Sequence, residues 1–155
     1  ETINGSWGFN LKDRKHKSEK QLIHYLIKAA GHGSNLLLNV GPMPNGKIQQ
    51  EHIKSLEKIG SWIQIHGETI YKTKKGPINP TDEIASTQLD NIIYVHLLND
   101  KKNKYIIEGF TAKFKKISYF KSDKEVKFQK FSDGITLILD EEEIDLIDTI
   151  IKIEL

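Results

Sequence analysis

The sequence contains no cysteine, which excludes disulfides and thiolate metal sites while leaving the redox compartment open. No apolar run approaches the ~20 residues that a membrane span needs. Neither charge sign dominates. The 23 Lys and Arg against 21 Asp and Glu give a formal +2, too balanced to imply a nucleic-acid partner. Hydrophobic residues, at 37%, are few for a self-sufficient core, and 28% of the chain is charged. There is no internal repeat, and residues 1–10 lack targeting character. What remains is a globular chain of 155 residues, enough for one domain of common size or two small pieces.

The most informative segment present is Asn35-Leu36-Leu37-Leu38-Asn39-Val40-Gly41-Pro42. It reads as a strand apolar on both faces, the pattern of a parallel strand covered by helices. Helical spacing flanks it. Ser18 is a candidate N-cap for a stripe of Leu22, Ile23, Leu26, Ile27 and Ala30, with Gly31 and Gly33 as the stop. After a Pro44-Asn45-Gly46 turn, Ile53, Leu56, Ile59 and Ile63 recur over a helix spanning residues 48–66, with Gly67 ending it and Thr69-Ile70-Tyr71 as an extended exit. A parallel strand needs parallel neighbours, and the first half offers none. The expectation is a piece of something larger, in line with a chain that opens on Glu1 rather than methionine.

Residues 72–80 form a basic connector containing Pro and Gly, the candidate boundary between units 1–75 and 76–155. Beyond it the period becomes alternating. Strands are expected over residues 92–98, 104–107, 116–120, 125–131, 135–139 and 149–155, with a hairpin turn at Asp133-Gly134 and a looser turn over residues 99–103. The predicted class is α/β followed by all-β, the second half a small antiparallel β-sandwich. The acidic residues 140–143 read as a solvated loop.

Three ordered blocks carry a family resemblance. Thr2-Ile3-Asn4-Gly5-Ser6-Trp7-Gly8-Phe9, the Asn35-to-Pro42 run, and Ile59-Gly60-Ser61-Trp62 followed by Gly67-Glu68-Thr69-Ile70-Tyr71 resemble α-L-fucosidases of glycoside hydrolase family 29. Phe9 stands where a tyrosine is usual, Pro44-Asn45-Gly46 replaces an acidic turn, and His66 takes a position often held by asparagine. The resemblance implies the last units of a (β/α)8-type barrel followed by a C-terminal β-domain. It also implies retaining exo-hydrolysis of terminal α-L-fucose, with the nucleophilic aspartate upstream of residue 1 and this piece inactive alone. The implied substrate is a fucosylated glycan or glycoconjugate, and the implied setting is secreted or periplasmic. Two carboxylates suffice for that chemistry, so no metal or organic cofactor is expected.

Within that frame, Glu1 is the candidate acid/base, although the family's own glutamate sits a few residues before the Thr2-Ile3-Asn4 block. Trp7 and Gly8 are candidate sugar contacts, because an indole face suits the apolar side of a sugar and its methyl group. Asn39 lies at the C-terminal end of a barrel strand, where such folds place their sites, and either orders neighbouring loops or touches sugar. His16, His24, His32, His52, His66 and His96 are scattered without metal-ligand spacing. Asn4-Gly5-Ser6 matches a glycosylation sequon by pattern alone. Residues 113–130 mix lysines with Phe114, Tyr119, Phe120 and Phe128; strand alternation accounts for this more simply than nucleic-acid binding. Two other functions stand beside the hydrolase. One is a carbohydrate-binding or interaction module over residues 81–155, using Tyr94, Tyr105 and Tyr119. The other is a barrel that keeps its sugar pocket without catalysis.

Overall fold

The computed structural model describes residues 1–155. Helix α1 (Glu19–Gly31) starts where the sequence indicates, and its start is held from both sides. The Ser18 hydroxyl accepts from the Gln21 backbone N–H, and the Gln21 side chain accepts from the Ser18 N–H, a reciprocal capping box. Its stripe buries Leu22, Ile23 and Ile27. Helix α2 (Gln50–His66) has no capping side chain and buries His52, Ile59, Trp62 and His66. The expected extended exit does not form. The chain passes from α2 straight into a 3-10 turn, Gly67–Thr69. Gly67 itself is right-handed; a Cβ there would meet the Tyr71 ring at 3.1 Å, so space explains this glycine rather than backbone handedness.

Two antiparallel sheets follow. The five-stranded sheet runs β1 (Lys74–Lys75), β2 (Ile84–Leu89), β3 (Ile92–Leu97), β8 (Thr149–Glu154), β5 (Lys116–Tyr119). The three-stranded sheet runs β4 (Lys104–Glu108), β7 (Gly134–Ile138), β6 (Lys127–Phe131). Alternation aims Val95, Leu97, Ile107, Ile117, Leu137, Ile151 and Ile153 into the space between the sheets. The opposite face of the larger sheet offers Ala85, Tyr94, Leu98 and Ile150 to Leu22, Ile23, Ile27, Ile59 and Trp62. That sheet is therefore covered on both faces, whereas β4 buries only Tyr105 and Ile107. Full burial of each large aliphatic side chain contributes about 1.5–3 kcal/mol.

Four differences from the sequence reading have physical causes. Strands β1 and β2 are not anticipated, because β2 carries small and polar residues where helix α1 comes close. A Cβ on Gly31 would sit 3.2 Å from the Ala85 Cβ, and Thr87 donates to the Thr69 carbonyl at 2.6 Å. The turn over residues 99–103 is a crossing between sheets rather than a hairpin, since its flanking strands β3 and β4 belong to different sheets. The tight loop between β6 and β7 is Ser132–Asp133, with Gly134 already paired to Phe131.

Most consequential is the run 36–40, which joins no sheet and is not buried on both faces. Residue 37 is 68% exposed, while Leu38 and Val40 lean on the helix-side core. Its pairing is to the opening residues: Thr2 and Asn39 form a parallel bridge, the Asn39 N–H donates to the Glu1 carbonyl at 2.8 Å, and the Glu1 nitrogen donates to the Leu37 carbonyl at 2.8 Å. The expected barrel units thus reduce, within this chain, to two parallel-running segments.

Candidate active site

These two segments bring the four sequence-named residues Glu1, Trp7, Gly8 and Asn39 into one place, and the loop between residues 4 and 13 hangs from them. Ile3 is fully buried and anchors the loop's base. Lys17, which sequence reasoning passed over, pins it. Its ammonium donates to the Thr2 carbonyl at 2.7 Å and the Asn4 carbonyl at 3.0 Å, and pairs with the Glu1 carboxylate at 3.0 Å. Its backbone N–H donates to the Ile3 carbonyl at 2.8 Å. Nothing in the sequence distinguishes Lys17 from its neighbours Lys12, Lys15 and Lys20; only the return of the chain to residues 2–4 does. Farther along, the Ser6 hydroxyl donates to Asp13 at 2.8 Å and closes the loop on itself.

Trp7 stands out at 64% exposure, with its backbone carbonyl accepting from the Asn39 side-chain amide at 2.6 Å. Gly41 completes the seat. A Cβ at Gly41 would lie 2.5 Å from the Gly8 carbonyl carbon and 2.6 Å from the Phe9 nitrogen, so only glycine admits the loop this closely. Gly8 has nothing within 4 Å of its own would-be Cβ and faces open space. Asn39 and Gly41 therefore order the loop that presents Trp7 and Gly8.

The electrostatics bear on Glu1. The Lys17 hydrogen bond, with that of the Thr2 N–H, holds the Glu1 carboxyl below the usual carboxylate range. Asp13 is lowered too, by the Ser6 hydrogen bond. A glycosidase acid needs the opposite, a carboxyl kept protonated near neutral pH. Neither carboxylate is raised in this chain.

The remaining candidates resolve into structural parts. Asn4 is only 3% exposed, so the sequon side chain is enclosed in the folded chain. Tyr94, Tyr105 and Tyr119 are all buried, so these three tyrosines are not the exposed contacts of a binding module over residues 81–155. No group of three His, Cys, Asp or Glu side chains is arranged to hold a metal ion. His52 meets His16 edge-on with ring centroids 5.3 Å apart, and His66 stacks on Trp62 at 4.8 Å. His96 and Asp148 face each other, both fully enclosed, at 2.7 Å.

Burial pushes His24, His52 and His66 below the usual imidazole value. The folded state therefore binds fewer protons than the unfolded state just below pH ~6.5, and the sign follows: the stability these groups contribute is present above that pH and is lost as pH falls through the lowered folded values. Glu1 and Asp13, both lowered from ordinary carboxylate values, titrate below this window. The urea midpoint is expected to fall between pH 7.5 and 5, with a shallower slope in His66→Asn. A flat or rising midpoint over that interval would contradict this.

Comparison with known proteins finds likeness to α-L-fucosidases. Residues 1–68 match the family model described as alpha-L-fucosidase. Human tissue alpha-L-fucosidase is 37% identical over 105 residues, 63% of this chain and 22% of that protein. In fold, an alpha-L-fucosidase isoenzyme from Paenibacillus thiaminolyticus superposes with a TM-score of 0.84 at 26% identity, over 99% of this chain and 38% of that one. The Thermotoga maritima alpha-fucosidase in complex with fucose gives 0.86 at 25% identity, over 99% of this chain and 38% of its own. The chain resembles the C-terminal part of α-L-fucosidases, in sequence over its first half and in fold throughout. It spans about a fifth of the curated relatives it matches. No helix is long and apolar enough to cross a membrane.

Proposed function

We propose that the chain is the C-terminal part of a retaining exo-α-L-fucosidase that removes terminal α-L-fucose from glycans and glycoconjugates. The observation that carries this reading is the likeness in fold to the Paenibacillus thiaminolyticus enzyme over 99% of the chain, with 26% identity. In this reading residues 1–75 complete a catalytic (β/α)8-like barrel, and residues 76–155 are its C-terminal β-sandwich. The parallel pairing of Thr2 with Asn39, and the bare Leu37 beside it, suit strands that continue into further parallel neighbours. A secreted or periplasmic location, which the family resemblance implies, suits a glycan substrate.

The loop residues then take definite roles. Trp7 offers its exposed indole to the apolar face and methyl group of the sugar. Gly8 leaves the backbone open to close approach, and Asn39 acts by holding the Trp7 carbonyl. Retention requires two carboxyl groups about 5 Å apart, one attacking the sugar and one protonating the leaving oxygen. Glu1, charged and tied to Lys17, is assigned to positioning the loop, and both catalytic carboxylates to the rest of the whole polypeptide. An aryl α-L-fucoside tests this. The 155-residue chain is expected to show no turnover above buffer, and the whole polypeptide to be active. Turnover by the short chain that disappears in Glu1→Gln would overturn the assignment; an inactive whole polypeptide that still binds fucose would favour the barrel without catalysis.

A further inference from the structure

The basic, aromatic stretch around residues 113–130 is not absorbed by the fucosidase reading, and in the fold it does more than alternate. Residues 110–114 and the β6–β7 hairpin flank the open edge of the sandwich and enclose a cleft of about 210 Å³. Phe110 and Ile135, both buried, form its floor. Phe114 makes a wall, stacked on Phe110 with centroids 6.4 Å apart and steadied by the edge of Phe128 at 5.2 Å. Phe131 closes the other side, over Gly134, where a Cβ would meet its ring at 2.7 Å.

Charge is distributed unevenly around this cleft. Lys113 and Lys130 line it, and the Lys130 ammonium stands 4.6 Å from the centre of the Phe114 ring. Neither lysine has a carboxylate partner, and no acidic side chain lines the cleft. Nearby Lys124 and Lys127 are instead neutralised by Asp140 and Glu142. Two ammonium groups without carboxylate partners, one of them over the Phe114 ring, leave net positive charge at the cleft.

We propose that this cleft binds a single saccharide unit bearing a carboxylate or a sulfate, at a site separate from the Trp7 loop. Aromatic planes accept the C–H face of a pyranose, and the lysines supply charge-assisted hydrogen bonds to the anion. Single-stranded nucleic acid also uses aromatic and basic side chains, but it needs a groove that tracks about 4–16 nucleotides. A cleft of about 210 Å³ has room for one ring rather than for a run of nucleotides. The assignment stands on the cleft alone and does not depend on the fucosidase reading.

Amide shifts of the 155-residue chain, titrated separately with methyl β-glucuronide, galactose 6-sulfate, methyl β-galactoside and a short oligothymidylate, provide the test. At least one anionic sugar is expected to move the amides of residues 110–114 and 130–135, and which one does so identifies the anion. The neutral galactoside should bind about tenfold more weakly, as loss of one charge-assisted contact implies. Lys130→Gln, an exposed position that leaves the fold intact, should weaken the preference for charge, and Phe114→Ala should remove binding to all three sugars. No response at these amides, an equal response to the neutral sugar, a preference unchanged in Lys130→Gln, or tighter binding of the oligothymidylate would overturn the proposal.

Discussion

Gly41→Ala is expected to cost the whole polypeptide about two orders of magnitude in kcat/KM on an aryl α-L-fucoside while leaving the sandwich folded. The cause is steric and local. The added methyl would sit 2.5 Å from the Gly8 carbonyl carbon and 2.6 Å from the Phe9 nitrogen, and neither backbone atom can swing aside as a flexible side chain does. The Trp7-to-Phe9 loop must move outward, stretching the 2.6 Å hydrogen bond between Asn39 and the Trp7 carbonyl. Misplacement by about an ångström is enough for such a loss when a residue positions substrate. Gly60→Ala is the control, because that helical glycine has nothing within 4 Å of its would-be Cβ and alanine favours helix. Wild-type kinetics in Gly41→Ala would remove the Trp7 loop from the proposed site.

Asp148→Ala should destabilise the fold by about 3 kcal/mol, because it strands a buried partner. Asp148 and His96 are both sealed from solvent, at the junction where β8 and β3 meet the helices. Removing the carboxylate leaves the His96 ring nitrogen at 2.7 Å without an acceptor, in a place water does not reach. Asp148→Asn keeps an acceptor oxygen and should lose less, unless the pair is ionic, in which case it approaches the alanine value. The exposed pair of Lys28 and Asp82 supplies the contrast, since Asp82→Ala should leave the denaturation midpoint unmoved. Denaturant curves of the three variants decide it. Equal, small losses in Asp148→Ala and Asp82→Ala would show that burial adds nothing to this pair.

Much of the element pattern is legible without coordinates. Helix α1 is readable because Ser18, Gln21 and the stripe after them are all local signals. Six strands are readable because alternation is a property of neighbours in the chain. Strand β2 is hidden for the opposite reason. Its close fit to α1 through Ala85 and Gly31 selects small residues and so suppresses the apolar pattern that marks a strand. The candidate site divides in the same way. Trp7, Gly8 and Asn39 are visible as parts of motif blocks, whereas Lys17 looks like any other lysine until residues 2–4 return to it.

Segment type and the order of helices and strands were set by local chain chemistry: caps, turn residues, and the period at which apolar side chains recur. Which faces met, and therefore which polar groups were enclosed or left bare, came from contacts between residues far apart in the chain. His96 with Asp148, Glu1 with Lys17 and Asn39 with the Trp7 carbonyl are all of that kind. The physical reason is that hydrophobic periodicity is written within a few residues, while desolvation and ion pairing depend on what the rest of the chain brings within a few ångströms.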